Sequence, residues 1–149
     1  MLLKDLCTPD VVYCSPELRV LGAAILMRQR HVGDLVVVND PDGDQTPIGM
    51  ITDRDIVVEV LGKELDPRTV TVREIMRTPS VIARDTEDAA QAFERMKVHG
   101  VRRIPVMDEH RKLVGIVCLD DLLRQLAADA NTLDEIVPLE QRHEHGTRR

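Results

Sequence analysis

Aromatic side chains are almost absent: Tyr13, Phe93 and no Trp among 149 residues. Two rings so far apart in the chain cannot easily form the exposed stacking platform that grips single-stranded nucleic acid. Positive charge is not in excess either. Lys and Arg number 20 against 26 Asp and Glu, a formal charge of −6, which argues against a broad basic face for nucleic acid. No apolar run is long enough to span a bilayer, so no membrane insertion is expected. The N-terminal MLLKDLCTPD lacks the apolar stretch and small-residue cleavage site of a secretory leader, so a cytoplasmic protein is expected. The three cysteines, Cys7, Cys14 and Cys118, include no C-x-x-C pair, which disfavours a disulfide framework or a structural zinc site. Reduced thiols are the simpler reading, with Cys7 and Cys14 a redox pair only if the fold joins them. No phosphate-binding G-x-x-x-x-G-K-[ST] and no nucleophile motif occurs, so no enzyme is expected.

What the chain does hold is 43% hydrophobic residues, 31% charged residues and nineteen valines. That is one compact domain with an aliphatic, strand-favouring core. It also contains itself twice. At an offset of 69, Ala23 falls on Ala92, Met27 on Met96, Val32 on Val101, Leu35 on Ile104 and Val37 on Val106. The segment GMITDRD, 49–55, falls on GIVCLDD, 115–121, at an offset of 66, the difference being a longer first-copy loop. Thr8-Pro9-Asp10-Val11 falls on Thr78-Pro79-Ser80-Val81 at an offset of 70.

Each copy predicts the order β-α-β-β-α, an α/β (α+β) fold. In copy one these are a short strand at Val11–Tyr13, a helix over Leu18–Arg30, strands at 35–38 and 48–51, and a helix from Asp53 to Leu61 ended by Gly62. Leu18, Leu21, Ala24 and Ile25 are the expected buried stripe of the first helix. Copy two repeats the order with strands at 81–83, 103–107 and 113–117 and helices at 87–98 and 119–128. Residues 1–62 then form repeat 1, 63–71 a linker, 72–128 repeat 2 and 129–149 a C-terminal segment. A short helical turn at Val72–Met76 has its counterpart at Leu2–Cys7. Beyond 131, Leu133, Ile136, Val137 and Leu139 are candidates to dock on the core or a partner. The polar tail, with His143 and His145, is expected to be mobile.

The A-x-x-x-M helices (Ala23–Met27, Ala92–Met96), the strands VGDLVVV and VRRIPVM, and the strand-to-helix element Gly49-Met50-Ile51-Thr52-Asp53-Arg54-Asp55 resemble a tandem pair of CBS domains, a Bateman module. The resemblance runs from residue 1 to about 128 and is most similar to small stand-alone bacterial CBS-pair proteins of the hypoxic response type. It implies two repeats related by pseudo-two-fold symmetry. It also implies a cleft between them that takes AMP, ADP, ATP or S-adenosylmethionine, with no cofactor required. Two such modules would associate through their helices into a homodimer, with Leu122, Leu123 and Leu126 serving the contact. The regulated target would be a separate protein. The alternative is a stress-related structural or interaction protein that keeps the fold and has lost the nucleotide.

The resemblance assigns the ribose to Asp55, whose ionised carboxylate can accept both hydroxyls, and a phosphate oxygen to Thr52. Adenine would lie against the first strand of the same repeat, which points to Thr8 and Val11 and to Thr78 and Val81. Thr52-x-x-Asp55 is equally a helix-capping pattern. In copy two Asp121 keeps the carboxylate but Cys118 replaces the hydroxyl, so unequal clefts are expected. Arg102 and Arg103 align with Gly33 and Asp34 and are candidates for phosphate, as is Arg54, which can instead pair with Asp53 or Glu59. His31 and His99 follow the first helix of each copy. A helix-end cation suits them better than a metal pair.

Overall fold

A computed structural model describes residues 1–77 and 81–130. Each repeat carries the expected order behind a short leading helix. Repeat 1 comprises α1 (Leu3–Leu6), β1 (Tyr13–Cys14), α2 (Val20–Arg30), β2 (Asp34–Val38), β3 (Pro47–Thr52) and α3 (Asp53–Ile56), which runs on as a π-helical turn through Leu61. Repeat 2 comprises α4 (Val72–Ile75), β4 (Ala83–Arg84), α5 (Ala89–His99), β5 (Arg103–Met107), β6 (Leu113–Cys118) and α6 (Leu119–Asp129). Each sheet has three strands. β1 runs parallel to β2 and β2 antiparallel to β3, and β4, β5 and β6 repeat this. The duplication extends to irregularities: the register shifts between Val37 and Val38 and, at the matching place, between Val106 and Met107.

The valine runs form strands because both faces are covered. Leu35, Val36, Val37 and Val38 are all at most 1% exposed. One core joins Cys14, Val20, Ala23, Met27, Leu35, Ile51 and Val60. A second joins Ala83, Ala92, Met96, Ile104, Val117 and Leu122. Between them Val36, Val38 and Leu113 close the seam, with Val11, Met50 and Ile116 against them.

The leading helices are exchanged. Leu3 of α1 is buried in the second core, and its N–H donates to Glu87 O at 2.9 Å. Val72 of α4 is buried in the first core, and its N–H donates to Leu18 O at 2.8 Å. Each chain segment then crosses the last strand of the other repeat, Thr8 bridging Ile116 and Arg77 bridging Met50. This crossing explains the glycine of each strand-to-helix element. A Cβ on Gly115 would lie 2.8 Å from Thr8 O, and one on Gly49 would lie 3.2 Å from Arg77 O.

Two expectations about buried faces need correction. The buried residues of α2 are Val20, Ala23 and Met27, while Leu21 and Ile25 are 38% and 48% exposed. On α6, Leu122 is fully buried and only Leu123 and Leu126 face outward. Leu122 therefore belongs to the core and has no surface to give a partner. The segment expected beyond 131 lies outside the described residues.

Candidate functional site

The end of β3 places Thr52 and Asp55 at the mouth of a cleft of about 960 Å³ between the repeats. A reciprocal cap fixes both. The Asp55 N–H donates to Thr52 Oγ1 at 3.1 Å, and the Thr52 N–H donates to Asp55 Oδ2 at 2.9 Å. The capping reading of this pair is therefore realised. It leaves the Thr52 hydroxyl hydrogen uncommitted by that bond and leaves Asp55 Oδ1 facing Arg77, whose Nε lies 3.4 Å away. Asp55 is only 8% exposed. Such a carboxylate keeps acceptor capacity beyond its two present partners.

The opposite wall comes from the other repeat: Val81, His99, Gly100, Val101, Arg102, Arg103 and Pro105, with Met76 and Arg77 from the crossing segment. Arg103 Nη1 is 2.6 Å from Asp34 Oδ2, and Arg102 Nη2 is 3.8 Å from Asp120 Oδ1. Burial opposes the Arg103 charge, but Cys118 and Asp34 outweigh it and hold the guanidinium protonated. Lys63 also lines the cleft and pairs with Glu59 at 2.5 Å. The site thus offers apolar wall, one nearly buried carboxylate and several guanidinium groups. That mixture suits a ligand with an apolar ring, a diol and an anionic group.

Of the residues singled out in the sequence, Thr52, Asp55, Arg102, Arg103 and Val81 meet in this cleft. Arg54 does not, because helix residues one apart point about 100° apart. It stands exposed beside Asp55, and its N–H bonds Asp53 Oδ1 at 2.8 Å. Thr8 and Val11 are elsewhere too. Thr8 is tied to Ile116 and Val11 packs at the seam, so the wall facing Thr52 is built by the opposite repeat. Thr78 lies outside the described residues. The bridges also correct the alignment there: Thr8 matches Arg77, not Thr78. Sequence reasoning missed Arg77 for that reason. The signal was available at the offset of 69 that the helices share.

Copy two departs from copy one. Cys118 makes no side-chain cap on α6, and Asp121 is held by Arg124 of its own helix. Burial pushes the Cys118 thiol above its ordinary value, as it does Cys7. Cys7 packs against the second core and Cys14 inside the first, so the fold does not join them as a redox pair. Among the described residues no group of three His, Cys, Asp or Glu is gathered to hold a metal ion, and no helix is long and apolar enough to cross a membrane.

Two strand-to-helix elements and an inter-repeat cleft define the class. Residues 3–62 and 72–128 match the CBS domain family, and the chain belongs to it. It is 35% identical over 127 residues to hypoxic response protein 1 of Mycobacterium tuberculosis, covering 85% of this chain and 86% of that one. The solved structure of hypoxic response protein I with two coordinated zinc ions superposes with a TM-score of 0.74 at 34% identity, covering 84% of this chain and 98% of that one. The CBS domain pair of protein MJ0100, in complex with 5′-methylthioadenosine and S-adenosyl-L-methionine, gives a TM-score of 0.71 at 25% identity over 87% of this chain and 98% of that one. An uncharacterized protein of Methanopyrus kandleri is 36% identical over 115 residues, 77% of this chain; the match spans only 57% of that protein's length.

Proposed function

We propose that the chain is a regulatory CBS pair that binds an adenosine-containing ligand in the Thr52–Asp55 cleft and signals its occupancy to a separate protein. AMP, ADP, ATP and S-adenosylmethionine are the candidate ligands. The observation that carries this reading is Asp55: a carboxylate 8% exposed that lines an inter-repeat cleft, with Arg77 3.4 Å from it and Arg102 and Arg103 lining the same cleft. A buried carboxylate is retained where it has partners to satisfy, and a ribose diol is a partner of the right shape. The adenosine compounds in the MJ0100 CBS pair support the same class of ligand. Binding would alter how the two repeats press on each other, and so the surface presented outside.

The role proposed is non-catalytic and cytoplasmic. The protein would act as a homodimer joined through its helices. Leu123 and Leu126 on α6 and Leu21 and Ile25 on α2, each 36–48% exposed, supply apolar surface for that contact. A second reading, a structural or interaction role without a nucleotide, draws on copy two, where Cys118 caps nothing and Asp121 is already held by Arg124.

Thermal unfolding with a panel of AMP, ADP, ATP and S-adenosylmethionine tests the choice. A ligand at one hundred times its dissociation constant stabilises by about 2.7 kcal/mol, which for a chain of this size is a rise of roughly 5–10 °C. Asp55→Ala should remove the rise while the protein still unfolds cooperatively. No rise with any of the four at millimolar concentration would favour the structural role.

A further inference from the structure

We infer that Arg77 makes this cleft selective for a nucleotide bearing phosphate over the bare nucleoside, because it yields Asp55 only to a ligand that offers it an anion in exchange. The inference rests on the adenosine-type reading of the cleft and names the part of the ligand that decides affinity.

Both oxygens of Asp55 have partners. Oδ2 accepts from the Thr52 N–H at 2.9 Å and Oδ1 accepts from Arg77 Nε at 3.4 Å. A diol that chelates the carboxylate approaches both oxygens, and at Oδ1 it meets the guanidinium. Arg77 is able to give way. Its backbone is pinned to β3 by its N–H to Met50 O at 3.1 Å, yet its side chain is 58% exposed. The 3.4 Å contact is also long for a charge-assisted bond, which ordinarily sits nearer 2.7–2.9 Å. The side chain can therefore swing without moving the strand.

A displaced guanidinium keeps its charge at any ordinary pH. Two of the acids around the cleft are already matched by cations, Asp34 by Arg103 at 2.6 Å and Glu59 by Lys63 at 2.5 Å, while Glu74 on the rim accepts only from the neutral Thr71 hydroxyl at 3.3 Å. A phosphate carried in by the ligand supplies an anion within the cleft itself, and the planar fork of the guanidinium can take it with two bonds. A nucleoside displaces Arg77 and returns nothing. The feature is private to this cleft, because the matching position in the other half is Thr8, which has no charge to trade.

Isothermal titration calorimetry of the whole chain with adenosine and with AMP tests this, on the wild type, Arg77→Met and Arg77→Lys. The wild type is expected to prefer AMP. In Arg77→Met adenosine should bind severalfold more tightly than to the wild type, while AMP should weaken by about ten-fold or more, the loss of one charge-assisted contact. Arg77→Lys should keep most of the preference. Equal changes for both ligands in Arg77→Met, or an AMP preference that survives it, would overturn the inference and leave the cleft reading standing. If the wild type binds neither adenosine nor AMP, the inference is overturned before any variant is made, whereas the cleft reading fails only when ADP, ATP and S-adenosylmethionine also give no thermal shift.

Discussion

Asp34 and Arg103 occupy the same position in the two repeats, the first residue of β2 and of β5, and they are bonded to each other: Arg103 Nη1 lies 2.6 Å from Asp34 Oδ2. The pseudo-two-fold axis brings equivalent positions face to face, so a strict repeat would set like charge against like. Opposite charges here turn the place where a symmetric module would repel into a tie across the seam. The tie is also one wall of the cleft, which couples the packing of the repeats to whatever competes for Arg103.

The first prediction tests that tie. The Asp34 side chain is 18% exposed and that of Arg103 54%, so solvent screens the pair in part. Asp34→Ala should cost about 1 kcal/mol in urea unfolding, near the upper end for a partly exposed pair. Asp34→Arg should cost more, since it sets two guanidinium groups against each other. The exchange Asp34→Arg with Arg103→Asp should regain most of the loss. If the exchanged protein is no more stable than Asp34→Arg alone, the pair does not join the repeats.

The two helix starts next to it should respond in opposite directions. Thr52 and Asp55 cap α3 reciprocally, whereas Cys118 leaves α6 without a side-chain cap. Thr52→Ala should cost about 1 kcal/mol, the usual worth of such a cap. Cys118→Thr should add up to about 1 kcal/mol by the same physics. The new cap draws on the Asp121 N–H, so the Asp121 carboxylate stays with Arg124. Denaturant midpoints measure both. A loss in Cys118→Thr would mean that the contact between the thiol and Arg103 outweighs a cap.

How far these features could be read from the chain alone differs by element. The strands were legible because apolar runs such as 35–38 and 104–107 are too short for helices and too apolar for an exposed edge. The buried side of α2 was not legible. VLGAAILM is apolar nearly all round, so periodicity marks no face, and packing against β2 selected Val20, Ala23 and Met27. Asp55 was found because its chemistry is written within four residues. Arg77 was not, because its place depends on a crossing between repeats fixed by tertiary pairing. Arg54, next to Asp55 in sequence, turned away for reasons of helix geometry alone.

A backbone contrast between the copies gives the third prediction. α5 ends at Gly100 in the left-handed region with φ 65°, while α2 ends at His31 with φ 55°. A side chain with a Cβ is strained there by roughly 1 kcal/mol or more, and glycine is not. His31→Gly should therefore raise stability by about 0.5–1 kcal/mol despite the extra freedom glycine gives the unfolded chain. Gly100→Ala should lower it by a similar amount, although nothing stands within 4 Å of the added carbon. Unchanged stability in both variants would mean the two helix ends relax to another conformation.

Cys14 gives a pH-dependent prediction. It is 5% exposed inside the first core, and burial pushes its thiol from 9.0 up to about 12. Below pH 9 the thiol is protonated in folded and unfolded chains alike, and its contribution to stability is fully present. Above pH 9 the unfolded chain sheds this proton while the folded chain keeps it, so the unfolded state binds fewer protons and stability falls as pH rises toward about 12. Each pH unit within that window removes about 1.4 kcal/mol. Cys14→Ala has no thiol to ionise at this position, while Cys7 and Cys118 titrate in both proteins and cancel. The stability advantage of the wild type over Cys14→Ala, measured by urea unfolding, should be constant from pH 7 to 8.5 and shrink by about 2 kcal/mol between pH 9 and 10.5. A difference that stays constant to pH 10.5 would mean that water reaches the thiol and that the first core is looser around β1 than its packing implies.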